Sequence, residues 1–389
     1  MCLLNFRANV VTMTSDQFTD IHAAPDNEPQ LNRFFRAAIK TRASDLHLKV
    51  GQRPKLRLQG QLKDTTAEPI TRDKMQEFVF EILTPEQKEL FLRTGTFDFA
   101  YEIDAENRFR IDIFRQRGNI SLSARRVDAD IPPFETLNLP LMLKEICASR
   151  QGLVLVVGPT GCGKSTTIAS MIDYISSIRF CHIVTVEDPI EFLFRDKKAI
   201  VSQREVGTDV ENFEDALKYL MRQDPDVVFV GEMRDSHTVT AAMRAAETGH
   251  LVLATMHSLN AAQAVQRLVD LFPQNERDLA RQTLALTIRA IIAQVLLPSI
   301  KEGVGRIPAV EILLVNPAVK KLISEGRESE LPGVIRSCCE EGMQDITDNL
   351  CKLVLDGSVE PKEAYKYAPN PDELKMALKG IRADVTGIL

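Results

Sequence analysis

The segment from Gly152 to Thr166 reads Gly-Leu-Val-Leu-Val-Val-Gly-Pro-Thr-Gly-Cys-Gly-Lys-Ser-Thr and carries the most specific chemistry in the chain. Gly158, Gly163, Lys164 and Ser165 fill the fixed positions of G-x-x-x-x-G-K-[ST], with Pro159, Thr160, Gly161 and Cys162 between them and Thr166 following. Each residue type has a task in holding a nucleotide's phosphates. Glycines let backbone N–H groups close around phosphate oxygens that side chains would block. A helix starting here adds the positive end of its dipole. Lys164 is a mobile cation for the β- and γ-phosphates, and the Ser165 hydroxyl is a ligand for Mg²⁺. Roughly one chain of this length in a hundred would match the four positions by chance. The apolar run Leu153–Val157, the pattern of a buried strand, and the helical segment after Ser165 make chance less credible. The competing reading is a glycine-rich turn between a core strand and a helix. The expected ligands are a nucleoside triphosphate and Mg²⁺.

A nucleotide hydrolase must also hold the metal, orient a water and offset charge on the transferred phosphoryl group. Carboxylates at strand ends are the first candidates. Val227–Val230 is an apolar strand followed by Gly231 and Glu232. Gly231 stands where an Asp is usual, so the metal-facing work falls to Glu232. His182–Phe192 places Glu187, Asp188 and Glu191 within five residues just past a second strand, with Pro189 restricting the loop. Acids clustered beside a triphosphate are costly unless Mg²⁺ or Arg offsets them. His250 and His257 flank a third strand, a position more often structural than catalytic. Arg234-Asp235 reads equally well as a structural ion pair.

The rest of the chain must position these groups. A length of 389 residues predicts two or three domains. Residues 1–29 are polar, hold Pro25 and Pro29, and are expected to be poorly ordered. Residues 30–128 mix a helix at Gln30–Thr41, alternating strands such as Phe109-Arg-Ile-Asp-Ile113, and a helix at Thr71–Leu83, predicting a small α+β domain. Within it Arg110 alternates with Phe109 and Ile111, and Arg125 with Leu122 and Ala124, so both arginines point out of its core. Residues 129–150, with Pro132, Pro133 and Pro140, read as a linker. Residues 151–315 alternate strands and helices, predicting an α/β domain with a doubly wound parallel sheet and its ligand loop at a strand's carboxyl end. Leu284–Leu297, interrupted by Arg289 and Gln294, reads as a core helix rather than a membrane span. Residues 316–389 are expected to be a helical region and tail.

Composition narrows the classes. Apolar residues are 44%, charged residues 26% and net charge −6, an ordinary soluble balance that disfavours a general nucleic-acid binder. Charge is uneven: residues 33–57 carry eight basic side chains against Asp45, either solvated faces or a surface for an acidic neighbour. The seven cysteines form no C-x-x-C, and one lies in the phosphate loop, which suits a reducing cytosol.

With these residues in hand, the chain resembles the secretion-superfamily ATPases, and among them the twitching-motility ATPases that retract type IV pili. The resemblance spans about residues 30–355. It rests on Ala43-Ser-Asp-Leu-His47, Gly158–Thr167, Thr185–Phe192, Gln223–Asp226 leading to Gly231–Asp235, and Glu247–Val252 with His257. Gly before Glu232 is what this family shows. The resemblance implies a PAS-like N-terminal domain, a RecA-like ATPase domain, and a homohexameric ring with nucleotide between the two domains. It implies that Glu191 is the general base, that Glu232 acts at the Mg²⁺ site, and that His250 and His257 sense or position the nucleotide. The family also sends arginines onto the phosphates; here the matching strands offer Arg110 and Arg125, with Arg117 a third. The implied function is an ATP-hydrolysing motor for pilus retraction, cytoplasmic and peripheral at the inner membrane. Its implied partners are a membrane platform protein and a related pilus ATPase, with no nucleic acid expected. The alternative is a weakly hydrolytic accessory ring coupled to a main motor. Two departures bear on that choice. His237 stands where relatives carry Glu, and Val319–Glu325 lacks the Arg that normally precedes the Glu. Residues after about Asp356 match no family pattern.

Overall fold

A computed structural model of the chain describes residues 28–381, apart from positions 59, 105, 128 and 129. The expected disorder of residues 1–29 therefore lies, up to residue 27, outside the described residues, as do Cys2 and the last eight positions of the tail. The described residues fall into two compact units, divided between Ala129 and Asp130.

The first unit is a six-stranded antiparallel sheet. Its strands are β1 (Asp45–Lys49), β2 (Lys55–Leu58), β3 (Gln61–Asp64), β4 (Thr96–Asp104), β5 (Asn107–Gln116) and β6 (Asn119–Arg126), in the order β3-β2-β1-β6-β5-β4. Alternation sorts its faces as the sequence predicts. Leu46, Leu48, Phe109, Ile111, Ile113, Leu122 and Ala124 are buried, against Phe34 and Phe35 of the helix Asn32–Lys40 and Met75 and Phe78 of the helix Arg72–Glu81. A further helix, Pro85–Thr94, is set by a capping box between Thr84 and Gln87, Pro85 in the first turn, and Gly95 in the left-handed region at its end. Leu62, past the turn at Gly60, sits on the edge strand β3 and is half exposed.

The second unit is a seven-stranded sheet. Its strands are β7 (Gly152–Val157), β8 (His182–Glu187), β9 (Ile200–Glu205), β10 (Val227–Val230), β11 (Leu251–Met256), β12 (Ile288–Pro298) and β13 (Arg306–Leu314), in the order β13-β12-β7-β11-β10-β8-β9. All neighbours are parallel except β12 and β13. Helices cover both faces, so β7 is buried throughout. Leu153, Leu155 and Val157 pack on one side with Val239, Ala242 and Val265, while Val154 and Val156 pack on the other with Ile168, Ile172 and Ile175. This is a RecA-like α/β core preceded by a smaller α+β unit.

Two stretches differ from expectation. Leu284–Leu297 is not one helix: the helix Arg277–Thr287 ends there and β12 begins at Ile288. A strand paired on both edges and covered on both faces is apolar all along, and periodicity cannot tell such a run from a buried helix. The stretch read as a linker holds two short helices, Phe134–Leu137 and Met142–Cys147. Phe134, Leu143, Ile146 and Cys147 lie in the second unit's core beside Ile168 and Ile172. Beyond Asp356, the helices Pro361–Tyr367 and Pro371–Leu378 put Ala364 and Leu374 against Leu297, Ile307 and Ala309 of the outer strands.

Candidate functional site

Parallel pairing puts the carboxyl ends of β7, β8, β10 and β11 on one edge of the sheet, so the loops that follow them converge. The loop after β7 is Gly158–Gly163, and the helix Lys164–Ile178 starts directly behind it with Gly163 as its N-cap. Gly158, Gly161 and Gly163 all have φ in the left-handed range, which closes the loop into a cradle. A side chain at Gly158 would press into the Gln294 carbonyl and the Cys162 sulfur. Pro159, Thr160 and Gly161 form the exposed tip, and Ser165 and Thr166 occupy the first helical turn, where backbone N–H groups lack helical acceptors. Burial pushes the Cys162 thiol up, with Lys164 opposing, so this sulfur packs as a thiol rather than reacting as a thiolate. The cradle and its cation fit a nucleotide's phosphates.

Three motifs meet at Lys164. Its Nζ donates to the carbonyls of Gly158 (3.0 Å) and Pro159 (3.2 Å) and lies 3.4 Å from His257 Nδ1. The other ring nitrogen of His257 is 3.4 Å from Glu232 Oε1. An ammonium has only donors, so Nδ1 accepts and Nε2 carries the proton that faces Glu232. Arg234 closes the row, its Nε donating to Glu232 Oε2 at 2.8 Å while its other end stands 3.6 Å from Asp188. Arg234 therefore orients Glu232 rather than pairing with Asp235, whose carboxylate instead caps the helix Ser236–Glu247 through Thr238 N. Magnesium beside a nucleotide is held by one or two protein oxygens plus phosphates. Ser165 and Glu232 supply that donor chemistry.

The glycine before Glu232 has a packing reason. A Cβ at Gly231 would lie 3.2 Å from Glu187 Cα and from Val186 O on the neighbouring strand. Its N–H donates to Val186 O, and the Thr255 hydroxyl donates to its carbonyl. A side chain here would need the β8 backbone to give by a few tenths of an ångström, so Gly suits the close approach of β10 to β8 just before Glu232.

Glu191 lies exposed on the loop after β8, and the neighbouring strand β9 fixes that loop. Gln203 donates to Phe192 O (2.8 Å) and to Glu187 (3.2 Å) and accepts from Phe194 N (2.9 Å). Glu205 accepts from Ile190 N at 3.0 Å. Glu187 is buried beneath the loop; burial pushes its carboxyl up to about 7, opposed by donors from Thr185, Gln203 and the Glu191 backbone. The acidic cluster thus separates into a buried brace (Glu187), an ion-pair partner (Asp188) and an exposed carboxylate (Glu191).

His250 does not join this cluster. It precedes β11 where His257 follows it, about 20 Å away along the strand. Its Nδ1 faces Ala245 O (2.9 Å) and the Thr248 hydroxyl (3.2 Å), which ties β11 to the end of the preceding helix. Arg110 and Arg125 are direct cross-strand neighbours on the exposed face of the first unit's sheet. Asp45 accepts from Arg125 at 2.9 Å and Asp98 stands 3.8 Å from Arg110, so carboxylates offset their mutual repulsion.

Sequence reasoning missed two parts of the site. A cavity of about 270 Å³ opens beside Gly163, Thr166 and Thr167, walled by Leu137, Leu139 and Pro308 with Arg306. Part of that wall is the stretch read as a linker. Gln294 of β12 bonds the phosphate loop from behind, through Cys162 O and the Thr167 hydroxyl. Its only signal was being a lone amide in an apolar run.

Residues 136–366 match the family described as "Type II/IV secretion system protein". The chain is 35% identical to a type IV pilus ATPase, PilU, of Pseudomonas aeruginosa, over 90% of this chain and 91% of that protein. It is 37% identical to the type IV pilus retraction ATPase PilT of the same organism, over 86% of this chain and 97% of that one. The crystal structure of the pilus retraction motor PilT with bound ADP superposes with a TM-score of 0.81 at 42% identity, over 87% of this chain and 97% of the other. The family match runs past Asp356, where the sequence patterns lapse.

Proposed function

Because this chain belongs to the type II/IV secretion system protein family, we propose that it is an ATP-hydrolysing motor that drives type IV pilus retraction. The observation that carries the hydrolase part is the row Lys164–His257–Glu232–Arg234 at the carboxyl edge of a parallel sheet. Gly158–Thr166 hold the phosphates, with Lys164 supplying the mobile charge. The cavity beside Thr166 takes the base and ribose, its leucine walls suiting the faces of a purine. Ser165 and Glu232 would hold Mg²⁺, which would supply positive charge for the phosphoryl oxygens. Glu191 takes the proton of the attacking water, and His257 reports phosphate occupancy by linking Lys164 to Glu232. Arg110 and Arg125 act on phosphates within a homohexameric ring.

The ring works at the cytoplasmic face of the inner membrane against a pilus platform protein. Among the described residues no helix is long and apolar enough to cross a membrane. A second reading, a weakly hydrolytic ring coupled to a main motor, is favoured by His237 and by the changed run Val319–Glu325. Turnover of the purified protein separates the two. ATP hydrolysis at a motor's rate, unstimulated by single-stranded DNA, with deletion cells piliated but unable to twitch, supports the first. Negligible turnover restored by a second pilus ATPase supports the other.

A further inference from the structure

We infer that Gln294 is a positioning residue for the phosphate loop: it sets the Cys162–Gly163 peptide so that the Gly163 N–H faces the phosphates. The inference rests on reading Gly158–Thr166 as that loop. Gln294 is 3% exposed on β12. Its Nε2 donates to Cys162 O at 2.6 Å, and its Oε1 accepts from the Thr167 hydroxyl at 2.8 Å. The two bonds assign the amide, because only Oε1 can receive the hydroxyl's proton while Nε2 serves the carbonyl.

In a trans peptide the C=O and the following N–H point in opposite directions. Drawing Cys162 O towards β12 therefore turns the Gly163 N–H away from β12, onto the concave side of the loop. Gly163 needs this anchor. It sits at φ 90, and a glycine there has no Cβ to bar the flipped peptide. The space is matched as well, since a Cβ at Gly163 would lie 3.0 Å from Gln294 Nε2. The anchor is rigid, because β12 pairs with β7 on one side and β13 on the other.

The test uses the full-length protein and ADP titrated by calorimetry, with ATP kinetics alongside. Lys164-dependent ADP binding by the parent establishes the loop; its absence overturns the loop reading rather than this one. Gln294→Met, similar in volume but with no amide, is expected to raise the ADP Kd about ten- to thirtyfold, the worth of one bond to a charged group. The KM for ATP should rise in step while kcat changes less than about threefold, since the Gly163 N–H serves ground and transition states alike. Thr167→Val keeps shape and removes only the hydroxyl that orients the amide. It should cost about threefold alone and nothing further on top of Gln294→Met. A Gln294→Met protein that binds ADP within about twofold of the parent, even with a lowered Tm, overturns the inference. If Gln294→Met does not fold, Thr167→Val decides: an unchanged ADP Kd overturns it.

Discussion

Glu311 gives a prediction whose sign and size both come from the structure. It lies buried on β13, and its Oε1 accepts from Ala261 N at 2.8 Å, at the start of the helix Ala261–Asp270 just past His257. Burial pushes its carboxyl from 4.5 up to about 7; Asp345 adds to this, while the Ala261 N–H and Arg336 oppose it. A carboxyl whose folded pKa exceeds its unfolded one binds its proton more tightly when native. Its stabilising contribution is full below pH 4.5 and is lost as pH rises through 7. A shift of about 2.5 corresponds to about 3 kcal/mol. Glu311→Gln keeps an oxygen for the Ala261 N–H and removes the titration. The assay is urea unfolding of parent and variant by circular dichroism, at half-unit steps from pH 5 to 8. The variant should gain on the parent by about 2–3 kcal/mol across that range, with the change centred between pH 5 and 7. Glu187 titrates in the same window in both proteins, so it cancels in the difference. Curves that run parallel within about 0.5 kcal/mol would refute the reasoning and mean that Glu311 is ionised at little cost.

Other expectations concern the site. Glu191→Gln should keep ATP affinity, because Lys164 and the loop still hold the phosphates, and lower turnover by roughly 10²–10⁴-fold; turnover within about threefold of the parent would pass the base role to another group. Glu232→Gln should move the Mg²⁺ concentration needed for half-maximal hydrolysis upwards, and an unchanged Mg²⁺ dependence would break the metal assignment. Gly231→Ala should destabilise by about 1–3 kcal/mol and slow hydrolysis together, because its Cβ would lie 3.2 Å from backbone atoms of β8; denaturation midpoints and turnover equal to the parent's would remove the close-approach argument.

What the chain declared by itself was local. Gly158–Ser165 is contiguous, and the glycines, cation and hydroxyl that a phosphate needs follow one another, so spacing alone revealed them. The first unit's strands were legible for the same reason, since Phe109, Arg110 and Ile111 alternate at the period of the pleat. Strand register decided the rest. His250 and His257 look equivalent in sequence, yet a six-residue strand carries them to opposite edges of the sheet, so only His257 can meet Lys164. The resemblance accounts for Gly231 as a family pattern, while the physical reason, the close approach of β10 to β8, comes from the paired strands. The role of Gln294 was not legible because its partners are 127 and 132 residues away, and because β12, buried on both faces, has the composition of a core helix. A hydrogen bond between such distant residues exists only once strands pair, and no window along the chain contains both ends of it.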